Sequence, residues 1–316
     1  MAGFVLRRIL WLIPVLFVVS LITFALMHAV PGGPWDREKP LNPGTVQRLN
    51  EIYGLNKPIW EQYLNWFVGM LLLDFGPSYQ FRDRDVNDIL AAGWPITVQL
   101  GLMTFIVAVG IGIPLGIFAA LGHNRWPDYI ATTVSMVGIA TPSFVLAILL
   151  IVIFSVGLDW FPSRGWVSLD KFPKDPVGAA RTWVLPVIAL AGYQIAQIAR
   201  YTRASMLEVT RKDYVRTAHS KGVRNSAVVV RHMIRNALIP VVTILGPIFA
   251  FLVTGSFIVE QFFGIPGIGR NYIAAIFQRD YSMIMATTVI YAFAVAFLNF
   301  IVDVLYAYID PRIRYS

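Results

Sequence analysis

The sequence predicts an all-α, polytopic membrane protein with six transmembrane helices, and three observations carry that prediction. Hydrophobic residues make up 57% of the 316 and charged residues only 14%, whereas a soluble domain is roughly 45 to 50% apolar. The apolar residues gather in six runs of about 20, the length a helix needs to cross a bilayer core ~30 Å thick. Lysine and arginine concentrate in one set of the intervening loops, as membrane insertion requires of the cytoplasmic side.

The spans are expected at Ile9 to Val30, Val98 to Leu121, Ile130 to Val156, Trp183 to Ala199, Ala237 to Val259 and Met283 to Ala307. The first follows Arg7 and Arg8, but it is too long for a secretory signal and Pro31 comes at once, so it is read as uncleaved. The fourth is short and Gly192 interrupts it. Helix breakers mark several spans: Pro114 among Gly110, Gly112 and Gly116, Pro142 between Thr141 and Ser143, then Pro186, Pro240 and Pro247. They serve either as hinges or as static kinks. Gly112 and Gly116 have the spacing that lets two spans approach closely. Asp303 is the lone carboxylate within a predicted span, one turn after Asn299, and a structural role outweighs a transport role for it.

Six spans put both termini on one side. That side holds 14 basic and four acidic residues and the other 12 basic and 13 acidic, so the termini and the loop 200–236 are cytoplasmic. One transmembrane domain over 1–316 then has an extracytoplasmic insertion at 31–97. In the insertion Trp60, Tyr63, Trp66 and Phe67 recur at helical spacing, which suits helices lying at the membrane interface. The net charge of +8 is used up by the insertion rule, so nucleic acid is not expected as a partner. The absence of cysteine and four scattered histidines exclude a metal site of thiolate or paired-imidazole type.

Gly264-Ile-Pro-Gly-Ile-Gly-Arg-Asn271 comes close to the phosphate-cradling pattern G-x-x-x-x-G-K-[ST]. It has Arg270 for the lysine and Asn271 for the hydroxyl, Pro266 removes an amide donor, and the topology places it outside. No nucleotide is expected there. Gly264, Pro266, Gly267 and Gly269 form either a simple connecting turn or part of an outer gate.

In the cytoplasmic loop, Thr210 with Asp213 matches a capping-box start and Gly222 a left-handed stop, predicting a short helix between them. Tyr214, Ala218 and Gly222 recur every four residues, flanked by Lys212, Arg216 and Lys221. Such a helix is too short to stand alone. It rests on anionic lipid or docks a cytoplasmic protein. On the inner half of the fourth span, Tyr193, Gln194, Gln197, Arg200 and Tyr201 offer amides and hydroxyls. Gln194, Gln197 and Tyr201 are candidates to line a translocation path, and interhelical hydrogen bonds account for the glutamines equally well.

With this loop as a starting point, nearly the whole chain resembles the permease subunits of binding-protein-dependent ABC importers, in particular the dipeptide, oligopeptide and nickel class. Arg216-Thr-Ala-His-Ser-Lys-Gly222 keeps the last alanine and the glycine of the superfamily's Glu-Ala-Ala, three residues, Gly pattern, without its glutamate. Arg231-His-Met-Ile-Arg-Asn-Ala-Leu-Ile-Pro240 is similar to the peptide-class segment leading into the fifth span. Further likeness lies in Leu6-Arg-Arg-Ile-Leu10, Ala29-Val-Pro-Gly32, Tyr53-Gly-Leu-Asn-Lys-Pro58, Thr141-Pro-Ser-Phe144, Phe263-Gly-Ile-Pro-Gly-Ile-Gly269, Arg279-Asp-Tyr281 and Asp310-Pro-Arg312.

The resemblance implies a type I ABC importer permease fold in a prokaryotic inner membrane. Its partners would be a second, related permease, two cytoplasmic ATPase subunits that bind the ATP and magnesium, and an extracytoplasmic substrate-binding protein. This chain would bind no cofactor and catalyse nothing. Tyr214, Arg216, Thr217, Ala218, Lys221 and Gly222 would make the coupling helix that seats on an ATPase. Peptides are the expected cargo, ahead of nickel chelates, glutathione or oligosaccharides. An ion-coupled secondary transporter would need ion-coordinating groups near the midplane and often an internal repeat, and an intramembrane hydrolase would need a catalytic pair within the spans; neither set is present.

Overall fold

Helices account for nearly every stretch that the computed structural model describes, which is residues 2–36, 41–81 and 84–309. Asp310-Pro-Arg312 and the side chain of Asp303 lie outside the description. Among the described residues five helices are long and apolar enough to cross a membrane, and the number is six if one bent pair is a single span. Their outward faces carry Trp11, Ile22, Ile106 and Phe118, all exposed, which in lipid is the contact surface rather than a liability.

Backbone proximity divides the chain into two compact units, one made of residues up to Ile96 and from Pro266 onward, the other of Thr97–Ile265. In the first unit α1 (Ala2–Ala29) packs on the last helix, and α2 (Pro43–Ile52) and α3 (Ile59–Leu71) occupy the predicted insertion. Asn42 caps α2 by accepting the Gly44 amide at 3.0 Å, and Pro43 takes the first position, where its missing N–H is harmless. Helix α3 is two-faced. Tyr63 and Met70 are buried with Phe24 and Met27 of α1, while Trp60, Leu64 and Val68 stay exposed, as an interfacial helix requires. A 2.9 Å bond between the Ser20 and Tyr63 hydroxyls ties α3 to α1.

The second predicted span begins well before Val98, because α4 (Val86–Leu121) runs through both units without a break. In the second unit it is followed by α5 (Trp126–Ala140) and α6 (Ser143–Leu150), which continues as a π-helical turn, Ile151–Gly157. The stretch predicted as the third span is therefore two helices meeting at 102°. Thr141 is extended, as a residue before proline tends to be, and Pro142 donates no hydrogen bond.

The fourth span is neither short nor interrupted. Helix α7 (Pro176–Thr210) has 35 residues, passes Pro186 and Gly192, and carries on through what was expected to be loop. Next come α8 (Asp213–Ser220), α9 (Asn225–Ala227), a π-helical turn over Val228–Ile234, α10 (Arg235–Thr254) and α11 (Phe257–Phe262). The loop 200–236 is consequently mostly helix. Back in the first unit, α12 (Ile268–Gln278) packs on α13 (Tyr281–Ile309).

The glycine pair on α4 does what its spacing suggests. A side chain on Gly112 would strike Ile198, and one on Gly116 would strike the Ala199 carbonyl and Thr202, all on α7. Gly138 on α5 likewise faces Ala196 and the Gly192 carbonyl. Around these approaches Ala108, Ala191, Ile198, Val241 and Leu252 form a close-packed core.

Candidate functional site

A cavity of about 650 Å³ opens in the second unit where the third span breaks. Thr141, Pro142 and Ser143 line it from the break, Tyr193, Gln194 and Gln197 from α7, Pro247 and Phe251 from α10, and Ser256 from the turn before α11. Two of the predicted path residues are thus brought together. The third is not. Tyr201 follows Gln197 by one turn of α7 and is exposed outside the cavity lining, beside the Arg200 guanidinium at 5.9 Å from its ring centre.

Gln194 is 5% exposed, and its Oε1 has no hydrogen-bond partner. The expected alternative, a hydrogen bond to another helix, is therefore not made by that oxygen. A buried amide oxygen left unpaired costs about 1 to 3 kcal/mol, so it stands out among the largely apolar buried side chains of α7, where the Thr202 hydroxyl is also unpaired. Gln197 is half-buried.

Helix α8 is built differently from its prediction at one end and as expected at the other. Its N-cap is Lys212, without a side-chain cap; Thr210 instead donates to the Met206 carbonyl at 2.7 Å. At the far end Gly222 adopts φ +72°, with Gly222 N–H donating to His219 O at 2.9 Å and Val223 N–H to Ala218 O at 3.2 Å. That is the paired closure of a Schellman stop, and glycine is the residue that enters it without strain.

The expected face of Tyr214, Ala218 and Gly222 is not one surface. Ala218 and Val215 are buried against Met206, Val209, Val228 and Met233 of this same chain, so Ala218 holds α8 in place rather than meeting a partner. Tyr214, Arg216, Thr217, Lys221 and Gly222 are exposed. Lys212 pairs with Glu208 at 2.9 Å, and that hydrogen bond pushes its ammonium pKa above the usual value.

Near the other end of α7, measured from the cavity toward Thr210, lies a charged cluster that charge counting alone did not single out. Arg203 donates from Nε to Asp128 Oδ1 at 2.5 Å and from Nη2 to Oδ2 at 2.8 Å. His123 Nδ1 lies 3.2 Å from the same carboxylate, and the Asn124 amide donates to it at 3.0 Å.

The link Gly264 to Gly269 is a turn followed by a helix start. Gly264 has φ +63° and its α-carbon faces the Arg164 side chain, and Gly165 N–H donates to Phe263 O at 2.9 Å. Gly267 is the N-cap of α12, and Ile268 and Gly269 are buried in the first unit. A side chain on Gly93 would press on Gly267 and Ile268. Pro266 precedes that cap.

Two buried carboxylates escaped the sequence reading. Asp280 caps α13, accepting the Met283 amide at 3.2 Å, and also receives the Ser78 hydroxyl and the amides of Tyr79 and Gln80 at 3.2 and 3.3 Å. Arg279 adopts φ +56° just before it and donates to the Pro31 carbonyl at 3.2 Å. Half-buried Tyr79 stands among Trp35, Tyr53 and Tyr281. Burial pushes its phenol up to about 12, with a hydrogen bond from Ser282 pulling the other way. Glu260 is fully buried in the second unit and accepts from Thr97 at 3.0 Å.

Comparison with known proteins identifies the family. The family described as the binding-protein-dependent transport system inner membrane component matches residues 112–315, and its N-terminal companion matches 1–101. The chain is 39% identical over 316 residues to the oligopeptide transport system permease protein OppB of Haemophilus influenzae, with all of both chains covered. It is 40% identical over 314 residues to the dipeptide transport system permease protein DppB of Bacillus subtilis, covering 99% of this chain and 98% of that one. A crystal structure of an amino acid ABC transporter with histidines shares the fold at a TM-score of 0.51 and 18% identity, over 69% of this chain and 92% of that one. An all-helical, multi-pass chain matched end to end in this way belongs to the family of binding-protein-dependent transport system inner membrane components.

Proposed function

We propose that this protein is the permease subunit of an ATP-driven importer of di- or oligopeptides, forming half of the translocation path by alternating access. The observation that carries this reading is the near 40% identity, along the whole length, to permeases named for oligopeptide and dipeptide transport. A second, related permease completes the path. Two ATPase subunits bind ATP and magnesium and supply the energy mechanically, and an extracytoplasmic binding protein delivers the cargo.

In this reading both termini and α8 face the cytoplasm, consistent with the basic bias of those segments. Exposed Tyr214, Arg216, Thr217, Lys221 and Gly222 seat α8 on an ATPase, and Val215 and Ala218 anchor it to α7 and to the π-helical turn before α10. Gln194 and Gln197 line the path. Gly264, Pro266, Gly267 and Gly269 contribute to the outer gate.

The test is affinity purification of the chain from its own membranes, followed by reconstitution and uptake of labelled trialanine. Co-purification of a second permease and ATPase subunits with ATP-dependent trialanine uptake is the expected result. An intact complex that ignores trialanine but carries a nickel chelate, glutathione or an oligosaccharide would move the cargo elsewhere. A folded chain that is reproducibly alone would end the importer reading.

A further inference from the structure

The break in the third span leaves backbone groups exposed at the place where the path cavity lies. Helix α5 ends at Ala140, and α6 begins at Ser143 with no side-chain cap. Its first backbone bonds run from Val145 and Leu146 back to Pro142 O, so the amides of Ser143 and Phe144 have no acceptor within the helix. The start of α6 therefore presents amide donors and the positive end of a helix dipole beside the cavity. Across that cavity, Gln194 is buried with an unpartnered Oε1.

These features complement one another chemically. The start of α6 and the Ser143 hydroxyl offer donors suited to an anion, while the carboxamide of Gln194 offers both an acceptor and a donor to an amide. Among the described residues no lysine, arginine, aspartate or glutamate lines this cavity, so an anion held there meets neutral donors and can leave again. Discontinuous membrane helices serve anionic substrate groups in this way in other transporters.

We infer that the Thr141–Ser143 break and Gln194 form a transient station for the main chain of a passing peptide, its C-terminal carboxylate at the start of α6 and its adjoining amide on Gln194. The station rests on the peptide reading above and adds to it a contact made by the permease itself. It is independent of side-chain identity, because every cargo peptide carries the same terminal groups.

The experiment uses the complete complex, with its binding protein, in proteoliposomes. Uptake of trialanine and of trialanine amide is measured at saturating loaded binding protein for wild type and for Gln194→Leu, Gln194→Glu and Ser143→Ala, together with stimulated ATPase activity and melting temperature. Expected results are a roughly tenfold fall in trialanine uptake for Gln194→Leu, with ATPase stimulation and melting retained. Gln194→Glu should impair trialanine more than its amide, because the added charge repels the carboxylate. Where Gln194→Leu fails to assemble, Gln194→Glu and Ser143→Ala carry the comparison. Wild-type uptake of both probes by well-assembled variants would overturn the station and leave the peptide permease standing. A wild-type complex that carries neither probe would overturn both.

Discussion

Arg203 grips Asp128 with two parallel hydrogen bonds, Nε to Oδ1 at 2.5 Å and Nη2 to Oδ2 at 2.8 Å, joining α7 to the first turn of α5. The carboxylate side chain is 4% exposed and the guanidinium 29%. Removing only the arginine strands a buried charge, so Arg203→Ala should cost about 3 kcal/mol. The double variant with Asp128→Ala should recover most of that loss. A double-mutant cycle on melting of the purified complex measures it. By contrast, Lys57 and Glu61 form an exposed pair at 2.8 Å, and Lys57→Ala should cost no more than about 0.5 kcal/mol.

Close approach of α4 to α7 depends on hydrogen atoms at Gly112 and Gly116. Gly116→Leu should destabilise by about 1 to 3 kcal/mol, because the Ala199 carbonyl and Thr202 leave no space. Gly110 has open space around it, so Gly110→Ala should be tolerated. Comparing the thermal stability of the two variants checks the assignment.

Two kinds of substitution on α8 should separate seating from docking. Ala218→Trp should damage the helix's own seat and lower the melting temperature, since Ala218 is buried against Met206 and Val228. Tyr214→Ala and Lys221→Glu, at exposed positions, should leave melting unchanged while breaking the link between ATP hydrolysis and uptake. Gly222→Ala should cost about 1 kcal/mol for its left-handed backbone. Normal uptake in Tyr214→Ala, Lys221→Glu double variants would remove α8 from the coupling role.

Tyr79 makes a prediction about pH. Its phenol has an ordinary value of 10.0 and is held up at about 12 in the folded chain. Between those values the folded state retains a proton that the unfolded state has lost, so the contribution to stability is complete below pH 10 and falls as pH rises toward 12. Subtracting the ultraviolet titration of Tyr79→Phe from that of wild type should show no tyrosinate signal between pH 10 and 11. A signal there would place Tyr79 in a more open setting.

The spans were legible because twenty apolar residues have few other places to be. Their ends were not. Once a helix is formed, polar residues continue it at little cost, and so Val86 to Val98 and Arg200 to Thr210 extend α4 and α7 beyond the apolar runs. The tripeptide at Thr141 announced a hinge or a kink, but how far Pro142 bends a span depends on what packs beside it. Gly222 was readable as a stop because its chemistry is local. The orientation of Ala218 was not, since spacing defines a stripe but does not say which side of the helix is already covered. Asp280 and Glu260 were least accessible of all, with partners Ser78 and Thr97 separated from them by 202 and 163 residues.

From Gln194 to Thr210, α7 contains no proline and no glycine and keeps its helical backbone throughout. Those sixteen steps make a strut of about 24 Å, with Val209 and Met206 packed beside α8 at one end and the cavity at the other. Gly192 and Pro186, where such a strut would flex, both lie on the far side of Gln194 from Thr210. A push or twist delivered at Thr210 thus reaches the glutamine amide undiminished, and the compliance of the span is reserved for the stretch beyond it.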